Sequence, residues 1–242
     1  MRKQFVQKMP MVRQRVGPGA LWVLEFNNDY VDIQGATEVQ SDVITGCAWV
    51  KFNENAAGGN HDVVIAIRNP ANNQRHALIL VHDSSRTIAH WDDTRGWTYS
   101  LATPGVNSWV HLIVERTQSN IAYYVNNILT ASQGKGTFTY NAWDQVRIGG
   151  SPWATQYCRA RICDVRLFNR ALTAAEHLNV MNGLAVTNGL IGHWPMNEGQ
   201  NGTISHGGDT YDVKDLSGNN NHGSNVGAVW VKEVGSEVPT AI

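Results

Sequence analysis

The sequence has no long apolar run, few charged residues and only three cysteines. No stretch approaches the roughly 18 consecutive apolar residues that a membrane-spanning helix requires, so we expect no membrane span. Near the N-terminus, residues 9–12 are too short an apolar segment for the core of a secretory signal peptide. These absences predict synthesis in the cytoplasm without a signal peptide.

Neither sign of charge dominates, because 19 Lys and Arg residues stand against 20 Asp and Glu residues. Such a balance gives no bulk attraction to nucleic acid or to an anionic membrane, so we expect no nucleic-acid partner. Only 16% of the residues are charged and 23 are glycines, which favours short strands joined by turns over a helical protein. The 242 residues suffice for one large all-β domain.

The three cysteines cannot all pair within one chain. Cys158 and Cys163 are close enough in sequence to bridge a hairpin, although spacing alone does not settle their geometry. Because no secretory signal is found, we expect free, partly buried thiols.

A strand followed by a capped helix is the most distinctive local pattern. Residues alternate between two faces from Ile162 to Phe168, which is typical of a strand with one face on a core. Thr173 and Glu176 then have the spacing of a capping box. We predict one short helix near residues 174–182, with Leu178 and Met181 on its apolar side.

The letters ICDVRLFNRALTAAE, at residues 162–176, resemble the closing strand and helix of the laminin-G-like (concanavalin A-like) jelly rolls. Further segments resemble strands and hairpins of this family at residues 24–33, 44–51, 108–114, 122–129 and 146–151. The resemblance covers nearly the whole chain beyond residue 16. It implies an all-β fold, a two-sheet antiparallel jelly-roll sandwich.

One turn and two tips are also predicted from the residue patterns. Asn126 and Asn127 separate two apolar arms, which predicts a tight turn with positive φ at both positions. Residues 68–75 and 90–99 are expected to form tips of the sandwich, outside its regular strands.

The order of the motifs departs from the family. The letters GLIGHWPMNE at residues 189–198 and VKDLSGNNNHG at residues 213–223 resemble pieces that normally precede the opening hairpin, yet here they follow the helix. Residues 187–232 therefore complete the same sandwich by circular permutation, or residues 187–242 begin a truncated second copy. We favour permutation, which would place residues 190–196 beside 20–33, because an unpaired hairpin leaves an exposed strand edge.

These patterns divide the chain into a basic arm at residues 1–16, a jelly-roll domain at residues 17–232 and a tail at residues 233–242. The arm carries five Lys and Arg residues and no acid. A flexible tail is the ordinary state of a terminus, but we interpret the arm as a segment that docks on a protein neighbour.

No ordered catalytic pattern is found. Glycoside hydrolases of similar shape need two carboxylates that face one cleft, and no Glu-x-Asp-x-x-Glu spacing occurs. A nucleophile elbow and a zinc-ligand spacing are also missing from the sequence. We predict a protein that is not an enzyme and has no catalytic residues.

A structural Ca²⁺ ion is one interpretation of Asp164, Glu198 and Asp215. The resemblance implies it, because these acids lie in motifs that resemble family segments near such an ion, and Gly/Asn-rich loops add oxygen ligands. In the alternative interpretation, Asp215 forms an Asx-turn with residues 217–218, and Asp164 pairs with an arginine such as Arg166 or Arg161.

Aromatic residues mixed with charged ones at the predicted loops suggest a ligand-binding site. Exposed rings stack on the apolar faces of sugars, while acids and amides hold the hydroxyl groups. The alternative is that the rings anchor loops or a subunit interface. The candidates are Trp91, Asp92, Asp93, Arg95, Trp97, Tyr99, Trp143, Trp153 and Tyr157.

Two functions are therefore predicted. The first is a structural or adhesive component of a larger assembly, such as a phage virion, because of the basic arm and the missing signal. The alternative is a carbohydrate-binding, lectin-like module, because of the aromatic residues and the family resemblance. Expected partners are protein neighbours in the first case and glycans in the second.

Overall fold

The protein is described here by a computed structural model of residues 21–39, 43–53, 61–69, 71, 74–83, 85–93, 96–134, 136, 143–199, 204–206 and 209–233. The basic arm and residues 234–242 of the tail lie outside the described residues, and the expectations for them stay predictions.

Within the described residues the chain is almost entirely strand. The strands are β1 Leu21–Asn27, β2 Tyr30–Val39, β3 Ile44–Phe52, β4 Asp62–Asn69, β5 Gln74–Val81, β6 Ile88–Asp92, β7 Gly96–Tyr99, β8 Trp109–Arg116 and β9 Asn120–Val125. They continue with β10 Ile128–Gly134, β11 Trp143–Ile148, β12 Arg159–Phe168, β13 Leu190–Trp194, β14 Ile204–His206, β15 Asp209–Tyr211, β16 Ser224–Val226 and β17 Val229–Glu233. The helix α1 spans Ala174–Met181.

Two antiparallel sheets contain all of these strands except the small β14–β15 hairpin. The eight-stranded sheet has the order β10-β9-β8-β3-β12-β1-β17, with β13 also paired to β12. The seven-stranded sheet has the order β16-β2-β11-β4-β5-β6-β7. The predicted jelly-roll sandwich with one short helix is confirmed.

Alternation along the strands builds the core between the sheets. On β2, Val31 and Ile33 are fully buried, whereas Asp32 between them lies on the outer face. There its carboxylate accepts a hydrogen bond from Arg147 of β11, with Nε and Oδ1 3.1 Å apart. The seven-stranded sheet thus has an apolar inner face and an outer face available for polar and aromatic side chains.

The strand β12 is flanked on one side by β3 and on the other by two strands in line. Residues 159–162 pair with β1 and residues 165–168 pair with β13. Asp164 lies between the two contacts, at a bulge, with φ of 47°. The expectation that residues 190–196 lie beside residues 20–33 was therefore wrong in detail, because the ten-residue β12 extends beyond its contact with β1 and pairs with β13 itself.

The segment after the helix contributes strands to both sheets of its own chain. Besides β13, it supplies β16, which pairs with β2, and β17, which pairs with β1. These are the two strands of the opening hairpin.

The helix begins with the predicted capping box and buries a different side from the one expected. The Glu176 N–H donates to Thr173 Oγ1 at 3.3 Å, and the Thr173 N–H donates to Glu176 Oε2 at 2.8 Å. His177 and Val180 are buried, whereas Leu178 is exposed. His177 is accommodated because its Nε2 lies 2.9 Å from the carboxylate of Glu115 on β8.

The turn at residues 126–127 is confirmed, since Asn126 and Asn127 have φ of 49° and 63°. The expectation for residues 90–99 was wrong, because most of this stretch forms β6 and β7, which pair in antiparallel register.

Cys47, Cys158 and Cys163 are free and buried, as predicted for their oxidation state. No helix in the described part of the chain is long and apolar enough to cross a membrane.

Candidate functional site

Four aromatic rings cluster on the outer face at the β7 edge of the seven-stranded sheet. Trp91 of β6 is the register partner of Trp97 of β7, with ring centroids 6.4 Å apart. Tyr99 stacks beside Trp97 at 6.1 Å, with their planes 16° apart. Trp153 lies 6.0 Å from Trp91. Trp91, Trp97, Tyr99 and Trp153 are called the aromatic patch below.

Small side chains form the floor of the aromatic patch. The rings pack on a buried cluster that consists of Val63, Ala66, Ala77, Leu80 and Ala89. Because three of these five residues are alanine, large rings fit directly over the sheet. All four rings remain partly exposed, so the patch presents aromatic surface to the solvent.

Trp153 is positioned by a loop that is tied to the sheet. The guanidinium Nη1 of Arg68 on β4 donates to the Pro152 carbonyl at 3.2 Å. The Trp153 N–H donates to Ser151 Oγ at 3.3 Å. These contacts hold the loop ring against a ring supplied by a strand.

An ion pair adjoins the aromatic patch. Arg75 donates from Nη2 to Asp93 Oδ1 at 2.7 Å and from Nε to both oxygens, at 3.0 and 3.1 Å. The hydrogen bond to Asp93 raises the pKa of Arg75. The guanidinium also lies over Trp91, 5.4 Å from its ring centroid, which is a cation–π contact. Polar donors and acceptors therefore border the rings.

Not every predicted ligand residue belongs to this surface. Asp92 is fully buried on the inner face, with Oδ2 3.0 Å from His90 Nε2 and 3.9 Å from Arg116 Nε. Neighbouring residues of a strand point to opposite faces, so Asp93 lies outside and Asp92 inside. Tyr157 stacks instead on Tyr30, at 6.2 Å.

The side chains of two further candidates are outside the described part of the structure. Arg95 lies outside the described residues, and for Trp143 only the backbone is described. The remaining five, Trp91, Asp93, Trp97, Tyr99 and Trp153, are brought together.

Sequence reasoning missed Arg75 and two histidines at this surface. His61 and His82 pack edge-on against Trp97, with ring centroids 4.7 and 4.8 Å away. His61 precedes β4 and His82 follows β5, and the register of Asp62 with Val81 brings these strand ends together. The signal is a long-range strand pairing, which a local motif does not reveal.

Two of the predicted Ca²⁺ ligands use their carboxylates within the protein. Asp164 accepts from Arg166 at 2.8 and 3.0 Å and lies 2.8 Å from His193 Nε2. Asp215 accepts from the N–H groups of His193, Ser217 and Asn221 and from the Ser217 hydroxyl, at 2.7–2.9 Å. Both arrangements agree with the alternative interpretation, an arginine pair and an Asx-turn.

The third predicted Ca²⁺ ligand, Glu198, uses only one of its carboxylate oxygens in a contact with another described residue. Its Oε1 accepts from the Lys214 N–H at 2.8 Å, and its Oε2 is buried without a hydrogen-bond partner among the described residues. Burial raises the pKa of this carboxyl. In the described part of the chain, Asp164, Glu198 and Asp215 do not gather within metal-ligating distance of one another. Calcium binding stays a prediction, which thermal melting with and without Ca²⁺ would test.

A surface cavity of about 450 Å³ lies away from the aromatic patch. Its lining residues are Glu25, Phe26, Asn27, Asp29, Asn53, Arg159 and Val229. Its carboxylates are engaged, since Glu25 accepts from Asn53 at 2.9 Å and Asp29 from the Asn27 N–H at 3.0 Å. The patch, with partly exposed rings beside an ion pair, is the better candidate for a ligand site.

Comparisons with known proteins agree with the fold. The model of a family described as the concanavalin A-like lectin/glucanases superfamily matches residues 26–176, more than half of the chain. A search among curated proteins found no significant match.

Solved structures of low sequence identity share the architecture. A candidate carbohydrate-binding protein from Bacteroides ovatus has a TM-score of 0.67 and 14% identity, with 88% of this chain and 60% of that one covered. Domain 4 of AbnA, a GH43 extracellular arabinanase from Geobacillus stearothermophilus in complex with arabinotriose, has a TM-score of 0.51 and 15% identity, covering 69% and 84%. Domains LG4-5 of the mouse laminin alpha1 chain have a TM-score of 0.51 and 11% identity, covering 66% and 45%. The chain thus spans less than two thirds of the Bacteroides protein.

Proposed function

Because the chain belongs to the concanavalin A-like lectin/glucanases superfamily, we propose that it is a non-enzymatic carbohydrate-binding module whose ligand lies on the aromatic patch. The observation that carries the proposal is the near-parallel pair Trp97 and Tyr99, flanked by Trp91 and Trp153, all partly exposed on one face. This geometry suits a flat, partly apolar ligand better than a charged one.

The chemistry of the patch matches that of a sugar. The C–H groups on one face of a pyranose or furanose ring pack on an indole or phenol ring and remove apolar area from water. The Arg75–Asp93 pair beside Trp91 offers donors and acceptors to the hydroxyl groups at the sugar's edge. Both groups of the pair are partly exposed, with 36% and 26% of their side-chain surface accessible, so a ligand reaches them.

The structural relatives support the same class of function. The Bacteroides ovatus protein is a candidate carbohydrate binder, and the arabinanase domain holds arabinotriose. Their low identity to this chain transfers no individual binding residue, so the aromatic patch is proposed from its own geometry.

A binding role fits the patch better than glycoside hydrolysis. Hydrolysis needs two carboxyl groups in complementary roles on either side of the scissile bond. Asp93, the predicted carboxylate that reaches the patch, is held in a bidentate ion pair with Arg75. Because an adjacent guanidinium favours the ionised form, this carboxyl is poorly suited to act as the proton donor.

Glycan-array screening followed by calorimetric titration with the best glycan tests the proposal. We expect Trp91→Ala and Trp97→Ala each to abolish binding. Each substitution removes a ring on which the sugar would stack and leaves the neighbouring ring without its packing partner. Trp230→Ala is the matched control, since Trp230 is a partly buried indole on β17 of the opposite sheet. The proposal is overturned if the array shows no ligand, or if Trp230→Ala weakens binding as much as the patch variants.

The assembly hypothesis rests mainly on residues 1–16, outside the described residues, and stays a prediction. Measurement of the mass in solution tests it, since a monomer contradicts a role that requires neighbouring subunits.

A further inference from the structure

Three potential metal ligands meet at the end of the β4–β5 hairpin. His61 stands immediately before β4, and His82 and Asp83 immediately follow β5. One donor atom from each residue lies within 4.8 Å of a donor atom from each of the others, and no other such trio occurs in the described ranges. Their side chains keep 13%, 15% and 18% of their surface accessible, so an ion in solution can enter.

Two of the three distances within the trio match those between ligands around one ion. Asp83 Oδ1 lies 3.4 Å from His61 Nδ1 and 3.4 Å from His82 Nδ1. These separations exceed the 2.7–2.9 Å or so of a charge-assisted hydrogen bond between an imidazolium and a carboxylate. In a tetrahedral site with bonds of about 2.0–2.1 Å, two ligand atoms are about 3.3–3.4 Å apart.

Both imidazoles accept a backbone hydrogen bond at Nδ1. The Asp83 N–H donates to His61 Nδ1 at 3.2 Å, and the Ser85 N–H donates to His82 Nδ1 at 3.5 Å. An acceptor nitrogen carries the lone pair that a metal needs, and contacts this long are inexpensive to replace.

We propose that His61, His82 and Asp83 bind a divalent transition-metal ion of the zinc class. Two imidazole nitrogens and one carboxylate oxygen form a ligand set that suits Zn²⁺ and Co²⁺. Ca²⁺ takes oxygen ligands almost exclusively and is disfavoured at this site. Three protein ligands leave one tetrahedral position for a water molecule or a ligand oxygen.

The proposed ion would lie beside the aromatic patch. Trp97 contacts both imidazole rings, and His82 also lies edge-on to Tyr99 at 5.2 Å. Metal binding would fix these imidazoles and, through them, the rings of the patch. The inference stands apart from carbohydrate binding, because it rests on the ligand geometry alone.

Titration of the full chain with Co²⁺ and Zn²⁺, after removal of metals with EDTA, tests the site. We expect one equivalent of Co²⁺ to give the intense visible absorption of a tetrahedral complex, and Zn²⁺ to displace it. Asp83→Asn and His61→Gln should each weaken binding at least about tenfold, the lower end of the cost of losing even an outer-shell partner. Excess Ca²⁺ should leave the Co²⁺ spectrum unchanged.

Asp93→Asn is the control, because it removes a carboxylate from the same face at a position outside the trio. It should bind Co²⁺ like the original chain. Asp83→Asn preserves the shape of its side chain, so a normal melting curve will show that any loss of metal does not arise from misfolding. The site is refuted if no equivalent of metal binds, or if both ligand variants bind as tightly as Asp93→Asn.

Discussion

Arg166 forms a bidentate ion pair with Asp164, which lies two residues earlier on β12. Its Nε and Nη2 donate to the two carboxylate oxygens at 2.8 and 3.0 Å, and the two side chains are only 2% and 1% accessible. Two residues that are neighbours on one face can form this bidentate pair because the bulge at Asp164 turns the backbone. Burial alone would raise the pKa of Asp164, but the hydrogen bonds from His193 and Arg166 outweigh it and lower that pKa.

Removal of the Asp164 charge should therefore destabilise the folded protein. We expect Asp164→Asn to lower the free energy of unfolding by about 3–5 kcal/mol, because the buried Arg166 cation loses its counterion. Chemical denaturation, followed by tryptophan fluorescence, measures the change.

Asp93→Asn provides the exposed comparison, where the loss of the ion pair should cost no more than about 1 kcal/mol. Equal effects of the two substitutions would contradict the structural role assigned to the buried pair.

Glu176 in the capping box should make the stability of the folded protein depend on pH. Hydrogen bonds from Arg170, and then from the Thr173 N–H, lower the pKa of Glu176 from 4.5 to about 2. A folded-state pKa below the unfolded one stabilises the protein above pH 4.5, and this contribution is lost as the pH falls toward 2. Glu176→Gln should remove that pH-dependent contribution.

Melting curves of the original protein and of Glu176→Gln, recorded across this pH range, provide the measurement. The difference in melting temperature should shrink as the pH falls. A difference that is the same at every pH would show that the Glu176 charge does not contribute.

The thiols should be unreactive until the sandwich opens. Burial raises the pKa of Cys47, Cys158 and Cys163 well above its ordinary value, so almost no thiolate forms near neutral pH. We expect a disulfide reagent such as DTNB to label the native protein very slowly and to label three thiols after denaturation. Rapid labelling of any thiol under native conditions would mean that this part of the core opens readily.

The sequence predicts the sandwich well because its strongest signals are local. The capping box at Thr173 and Glu176 and the turn at Asn126 each depend on residues a few positions apart. The error at residues 90–99 has a local cause as well. Polar and glycine residues interrupt the stretch and suggest a loop, whereas cross-strand packing of Trp91 on Trp97 favours two short strands.

The residues of the candidate site are harder to predict from local sequence patterns. Of the five predicted ligand residues that gather, Trp91, Trp97 and Tyr99 share one face through strand alternation, whereas Trp153 comes from a loop and Asp93 directly follows β6. The same alternation places Asp92 inside. His61 and His82 meet only through the pairing of β4 with β5, which no spacing in the sequence specifies. The buried side of α1 was misjudged for a similar reason, since the distant Glu115 provides the partner that lets His177 lie inside.

The in-line arrangement of β1 and β13 along β12 has a practical consequence for any attempt to express part of this chain. The family match ends at residue 176, yet an expression fragment cut there would lose β13, β16 and β17. The second half of β12 and the outer edges of β1 and β2 would then expose unpaired N–H and C=O groups, which recruit strands from other molecules. Such a fragment would aggregate, and a usable expression boundary lies beyond Glu233.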